Sequence, residues 1–446
     1  MSRKTKILIA TILGSGMVVL DGFVVNLALP TIAKDLHASF TDLQWIVDGY
    51  MLTLSALMLF GGSLGDIFGR KRIYLLGLYG FTIGSLLCGL APSIDFLIFA
   101  RVLQGAFGAL LVPGGLAIIN TNFPEAERGR AIGRWSAWLA IVVPIGPLLG
   151  GYILGIASWR WIFLINLPLG LICGFLANKY FKESKSEQVR HLDIVGAGLA
   201  TASLAGITYG LIQAPVNHWQ SASVVPLALG LILFMLFIYY EARHPDPMVR
   251  LGLFKSRNFT GANLMTFATY GALAGFMFAI LIYLQTVMGY SPLVSGLSLL
   301  PISILLLLLS TRMGGLCAKY GPKFFITAGP LIVGLSMLLL INYRPGDSYL
   351  TFLLPRVILF GLGMAILVAP LTVTVMSSVE NSSSGIASGI NNAVSRVAGL
   401  IVIALLGLTG AGHVYRFSVF LCALLALGAG VVAFFTIQNH PKPIKL

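Results

Sequence analysis

Fourteen apolar runs, each long enough to cross a bilayer as a helix, occupy most of this chain and leave no stretch for a large soluble domain. They lie at about 7–31, 44–65, 73–92, 96–121, 130–156, 160–180, 192–213, 223–240, 260–288, 292–316, 323–343, 349–377, 384–408 and 416–437. A transmembrane helix needs roughly 20 apolar residues, so the 446 residues hold this many spans with short loops. Only 10% of the residues are charged, against about a quarter in soluble domains, and the mean hydropathy is +0.91. The expected fold class is an all-α membrane protein.

A net charge of +14 would suit a polyanionic partner, but its distribution argues otherwise. With the N-terminus placed in the cytoplasm, inner segments hold 22 of the 29 Lys and Arg residues, and the outer loops hold only Lys34, Arg160, Arg344 and Arg416. This is the positive-inside bias of an even number of spans with both termini cytoplasmic. The basic residues therefore encode orientation in a cell (inner) membrane of bacterial type, and no nucleic-acid partner is expected. The first run, about 25 residues long, exceeds a signal-peptide core and carries Asp21, so span 1 is expected to remain in the mature chain. Cys88, Cys173, Cys317 and Cys422 sit inside apolar runs at no metal or disulfide spacing and read as packing thiols. The six histidines lie in loops or at span ends, and no zinc spacing, phosphate loop or nucleophile elbow occurs. No metal, cofactor or catalytic constellation is expected.

The chain repeats itself. GGSLGDIFGRKRIYLLG (61–77) aligns with MGGLCAKYGPKFFITAG (313–329) at an offset of 252, and RVLQGAFG (101–108) aligns with RVILFGLG (356–363) at 255. Near-equal offsets make spans 1–6 and 9–14 parallel repeats, an arrangement that places binding where the repeats meet, near the bilayer midplane. The expected division is an N-terminal six-helix bundle at 1–184, two inserted helices with flanking loops at 185–256, and a C-terminal six-helix bundle at 257–446.

Few charged residues interrupt the runs. Asp21 and Asp48 are the two acids well inside them, and an intramembrane carboxylate is costly unless paired, protonated or hydrated. Arg101 needs a partner there, and by depth its nearest acids are Asp21 and Asp48; Gln104, Gly105 and Gly108 continue its helix face. Either a static charge pair or a titrating, proton-carrying pair fits this pattern. Asn26, Gln104, Asn392 and Arg396 are candidate substrate-lining residues. Asn392 and Arg396 belong to a polar stripe with Ser388, Ser395 and Gly399 that is too polar to face lipid.

Two motifs suggest moving helices. In GGSLGDIFGRKR, Gly62, Gly65 and Gly69 allow close helix approach, Asp66 can accept backbone N–H groups of a neighbouring helix N-terminus, and Arg70 and Lys71 anchor the inner face. The segment ENSSSGIASG (380–389) is the expected receptor for Asp66. The second copy has Ala318 and Pro322 where the first has Asp66 and Arg70, so only the first half carries this charged latch. PIGPLLGG (144–151) places Pro144, Gly146, Pro147, Gly150 and Gly151 within two turns, which predicts a bent, tightly packed seam.

GGSLGDIFGRKR resembles the signature loop of the major facilitator superfamily, and the parallel six-helix repeats are similar to its fold over essentially the whole chain. GPLLGG (146–151) resembles the span 5 antiporter motif, with Val142 in place of its leading glycine. LDGFVVNLALPTI (20–32) and YLQTVMGYSPLVSGLSLLP (283–301) resemble the fourteen-spanner drug:proton antiporters, and WIVDGYMLTLSAL (45–57) is similar to exporters of quaternary ammonium compounds. The resemblance implies two six-helix bundles in pseudo-twofold parallel repeat plus two inserted helices. It further implies export of amphiphilic small molecules driven by the proton gradient, with Asp21 and Asp48 exchanging a proton for a cation and Arg101 matching the family's span 4 arginine. Relatives that handle divalent cations carry further acids in the second half; spans 9–12 have none, which points to a monovalent or neutral amphiphile. The expected partners are that substrate, protons and the lipid bilayer, with the protein a monomer. Two other readings stay open: a lipid or lipid-precursor flippase on the same fold, and a non-transporting membrane receptor or enzyme.

Overall fold

The computed structural model describes residues 2–186, 192–380, 384–409 and 414–439. Among these are fifteen α-helices and no β-strand. In unit order they are α1 (Arg3–Leu36), α2 (Phe40–Phe68), α3 (Arg70–Gly89), α4 (Ile94–Asn122), α5 (Glu125–Ile156), α6 (Trp161–Leu164), α7 (Asn166–Tyr180), α8 (Ile194–Gln213) and α9 (Ser221–Glu241). Then follow α10 (Arg257–Thr286), α11 (Pro292–Tyr320), α12 (Lys323–Leu340), α13 (Leu354–Ser377), α14 (Ser384–Leu405) and α15 (Val414–Thr436). Thirteen stretches among the described residues are long and apolar enough to cross a membrane, with α6 and α7 forming one of them. α5 is a further helix of 32 residues in which Ile145–Ile156 is a shorter apolar stretch. Large apolar side chains such as Leu229, Ile232 and Met235 on α9 stand exposed, the reverse of a soluble protein and suited to lipid.

The helices outrun the apolar runs because caps and polar turns extend them. The run expected at 44–65 is helical from Phe40, where Ser39 and Asp42 form a capping box: the Asp42 N–H donates to Ser39 Oγ (3.2 Å) and the Ser39 N–H to Asp42 Oδ2 (2.8 Å).

The chain divides into two compact units, Met1–Ile207 with Pro226–Met248, and Thr208–Val225 with Val249–Leu446. Each has the same internal packing. In the first, α4 lies against α2 and α3, while α1 lies against α5 and α7 and α3 against α7. In the second, α13 lies against α11 and α12, while α10 lies against α14 and α15 and α12 against α15. Small details recur at the same spacing. Arg3 donates to the Tyr180 carbonyl (Nη2, 2.8 Å), and Arg257 donates to that of Phe435 (Nη2, 2.6 Å). They tie α1 to the end of α7 and α10 to the end of α15.

Close helix crossings depend on missing side chains. A Cβ on Gly105 of α4 would stand 2.2 Å from the Tyr50 carbonyl oxygen and 2.3 Å from Thr53 Oγ1, so α2 and α4 touch only because the position is glycine. Thr53 Oγ1 uses the proximity to donate to the Val102 carbonyl (2.8 Å). Gly105→Ala is therefore expected to lower the melting temperature of the purified protein, with an overpacking cost of about 1–3 kcal/mol. Gly155→Ala, whose added methyl meets nothing within 4 Å, should leave it unchanged; equal behaviour of the two variants would contradict this account of the crossing.

Candidate functional site

The first unit encloses a polar network in an apolar interior. Asp21 lies midway along α1 and Arg101 about two turns into α4, and both side chains are 1% exposed. Arg101 Nη1 donates to Asp21 Oδ2 at 2.6 Å and to Gln104 Oε1 at 2.6 Å, while Arg101 Nε donates to the Ile46 carbonyl at 3.1 Å. The guanidinium also lies 4.0 Å from the centre of the Tyr50 ring, a cation–π contact that partly replaces lost hydration. Gln104 Nε2 donates to Asp21 Oδ1 (3.1 Å) and Ser85 Oγ (3.2 Å). Ser85 also accepts from Asn166 Nδ2 (2.9 Å) and donates to the Phe163 carbonyl (3.0 Å). The orientation of the Gln104 amide follows from this chain, because the oxygen must face Arg101 and the nitrogen Asp21. Each Asp21 oxygen thus receives one donor. Removing one member of such a buried pair leaves an uncompensated charge, at a cost of about 3–5 kcal/mol.

Depth in the membrane pointed Arg101 to both acids, and the structure separates them. Asp21 takes Arg101. Asp48, on α2, is fully buried, and neither of its carboxyl oxygens has a hydrogen-bond partner among the described residues. Gln104, read from the sequence as substrate-lining, is a buried bridge within the network. Asn26 donates to the Gly22 carbonyl of its own helix (2.8 Å), and its Oδ1 is buried without a partner. Ser85, Asn166 and Tyr50 were not singled out by sequence reasoning. The available signal was polar side chains within apolar runs, as at Asn166 in FLINLP.

The span 5 motif lies beside this network. α5 is helical through 144–151, and the side chain of Pro144 falls outside the described residues. A Cβ on Gly146 would meet Phe23 Cβ at 3.1 Å, and one on Gly150 would meet Val24 Cγ1 at 2.8 Å. The glycines therefore seat α5 on the α1 residues flanking Asp21, while Pro147 and Gly151 lie within the same two turns. Val142, standing where the antiporter pattern has glycine, faces Gly16 of α1, where a Cβ would be 3.7 Å from Val142 Cγ2.

At the α2–α3 turn, Asp66 Oδ1 accepts from Arg70 Nε (3.0 Å) and Nη2 (2.7 Å). Gly62 and Gly65 line a gap of about 20 Å³ with Arg70 and Pro113. Gly69 turns the chain at φ +115°, a region that disfavours other residues. Glu183, which the sequence reading did not pick out, caps the N-terminus of α3: the Lys71 and Arg72 N–H groups donate to it at 3.0 and 3.2 Å. Lys71 Nζ donates to the Asn178 carbonyl (2.6 Å) at the end of α7. In the second unit Asn439 holds the same place, accepting from the Lys323 N–H (3.1 Å) beside Gly321 at φ +85°. Of the receptor expected for Asp66, residues 381–383 lie outside the described residues.

In the second unit, Asn392 lines a cavity of about 90 Å³ with Tyr270, Thr372, Val375, Met376, Ser388, Asn391 and Ser395. Arg396 is half-buried on the same helix and does not line it. Arg356, the repeat counterpart of Arg101, meets no acid among the described residues; it donates to the Leu339 (3.0 Å) and Phe352 (2.5 Å) carbonyls. Indeed α10 to α15 contain no Asp or Glu.

Comparison with known proteins places this architecture. The chain is 36% identical over 402 residues to the multidrug resistance protein Stp of Mycobacterium tuberculosis (strain CDC 1551 / Oshkosh), covering 90% of this chain and 74% of Stp. It is 34% identical over 400 residues to the puromycin resistance protein pur8 of Streptomyces alboniger, covering 89% of this chain and 80% of that protein. A crystal structure of a peptide transporter, POT, in complex with sulfate superposes with a TM-score of 0.73 at 14% identity, over 97% of this chain and 93% of that one, a likeness of fold alone. The family model described as Major Facilitator Superfamily matches residues 11–403, and the chain belongs to that superfamily of membrane transporters.

Proposed function

We propose that this transporter exports lipophilic, monovalent cationic or neutral small molecules in exchange for protons, by alternating access, as a fourteen-span member of the drug:proton antiporter branch. On this reading α5 crosses the membrane with the thirteen apolar helices, both termini are cytoplasmic, the protein works as a monomer in a bacterial-type inner membrane, and the proton gradient is its only energy source. The relatives named above as resistance proteins support export. The observation that carries the coupling is the buried pair of Asp21 and Arg101, 2.6 Å apart and closed by Gln104.

The electrostatics follow from the charge count. Ionised Asp21 with Arg101 is neutral overall, and a lipophilic cation can approach. A proton taken from outside converts the pair to a net positive charge, which expels the cation. Loss of that proton inside restores neutrality and admits the next. Asp48 is the second proposed proton carrier, because an ionised carboxylate without donors is very costly in a dry interior. One proton exchanged for one monovalent cation moves no net charge, so the membrane potential, worth about 2.3 kcal/mol per charge per 100 mV, drops out and the pH gradient drives transport. The Asp66–Arg70 turn and the Gly146–Gly150 seam are the proposed moving parts, and Asn26, Asn392 and Arg396 the proposed substrate contacts.

Asp21→Asn should abolish pH-driven uptake of a fluorescent lipophilic cation into inverted vesicles, the in vitro equivalent of efflux. The double variant Asp21→Asn/Arg101→Gln removes both charges, so it should fold better than the single variant and still lack pH-driven efflux. Undiminished transport by either would remove Asp21 from the mechanism. Asp66→Asn is expected to slow turnover several-fold while equilibrium binding of the cation stays within about twofold; parallel loss of binding would contradict a gating role.

A further inference from the structure

The cavity of the second unit is built from uncharged groups whose hydrogen-bonding capacity is left over in a defined pattern. It lies between α10, α13 and α14, and its described lining residues include no ionisable carboxylate, amine or guanidinium. Asn391 Nδ2 donates to both Asn263 Oδ1 (3.1 Å) and Thr266 Oγ1 (2.8 Å). These supports are themselves held, since Thr266 Oγ1 donates to the Ala262 carbonyl and Asn263 Nδ2 to that of Phe259, both at 2.8 Å. A flipped Asn391 amide would face oxygen with oxygen, so its Oδ1 is left as an acceptor. Asn392 Nδ2 gives one of its two hydrogens to the Ser388 carbonyl (3.0 Å), leaving a second amide oxygen and one N–H. The Tyr270 and Ser388 hydroxyls line the same space with no partner among the described residues. Two amide oxygens, two hydroxyls and one spare amide N–H thus converge without charge, against an apolar wall of Val375 and Met376.

The size limits what fits. Pockets that enclose a whole drug-sized ligand run to about 300–1,000 Å³, whereas about 90 Å³ holds one functional group. A group that offers both a donor and an acceptor satisfies the site; an ammonium or carboxylate finds no opposite charge there. We infer that this cavity is a substrate subsite for an uncharged hydrogen-bonding group, a carboxamide or a hydroxyl beside a carbonyl. Amphiphiles that carry such a group are then preferred over purely apolar cations. The inference rests on the export reading and names the part of the substrate that the second unit selects. Sites with polar groups to satisfy discriminate strongly against analogues lacking the matching group.

The test compares two probes on the full-length protein in lipid nanodiscs: puromycin, which bears an amide and hydroxyls, and tetraphenylphosphonium, a lipophilic cation with no hydrogen-bonding group. The variant Tyr270→Phe/Asn392→Ala removes one donor and one acceptor, neither of which holds helices together. Its puromycin Kd should rise about tenfold, as expected for losing two neutral hydrogen bonds, with the tetraphenylphosphonium Kd unchanged. Equal weakening of both probes, or of neither, overturns the subsite and leaves the export reading standing. A wild-type protein that neither binds nor exports either probe overturns the export reading, and the subsite with it.

Discussion

One ion pair in an apolar interior organises the first unit. Two opposite charges 2.6 Å apart attract far more strongly in low dielectric than in water, but both have given up hydration, and the gain survives only if their remaining hydrogen-bonding capacity is met. Gln104, the Ile46 carbonyl and the Tyr50 ring meet it. Those groups come from α2 and α4, and Ser85 and Asn166 extend the chain to α3 and α7. The close crossings allowed by Gly105, Gly146 and Gly150 bring the helices near enough for this to happen. A proton on Asp21 would remove the charge at the centre of this arrangement, and the proposed coupling uses that.

The repeat shows by contrast what is particular to the first unit. Both units share their helix packing, their Arg-to-carbonyl tie and their capped third helix, so those features belong to the scaffold. The second unit has Arg356 on backbone carbonyls, Asn439 in place of Glu183, and Phe276 of α10 stacked on Phe360 of α13. Charge is concentrated in one half, and uncharged hydrogen bonding in the other. The proposed exporter would then draw its coupling from the first unit and its recognition from the second.

Much of this was legible in the sequence, for identifiable reasons. Apolar runs cannot be mistaken, the repeat is carried by glycines and arginines that the packing requires, and an acid such as Asp21 within a run is conspicuous because burial makes it costly. What depth alone could not decide was which acid meets Arg101, since that depends on helix rotation, and Asp48 faces elsewhere. Ser85, Asn166 and Asn391 were invisible because single hydroxyls and amides are ordinary in membrane helices and acquire meaning only from their neighbours. Glu183 was passed over because it lies in a charged loop, where acids are common, and its role depends on the chain passing the N-terminus of α3. The helix ends ran past the apolar runs for a similar reason: polar caps carry no hydropathy signal.

The central claim is that cation export and proton entry are one event at Asp21. Purified protein in sealed liposomes loaded with a pH-sensitive dye tests it directly, with a gradient of tetraphenylphosphonium as the only driving force. The account predicts proton movement opposite to the cation, about one for one and insensitive to a clamped membrane potential. Cation flux without proton movement would contradict it.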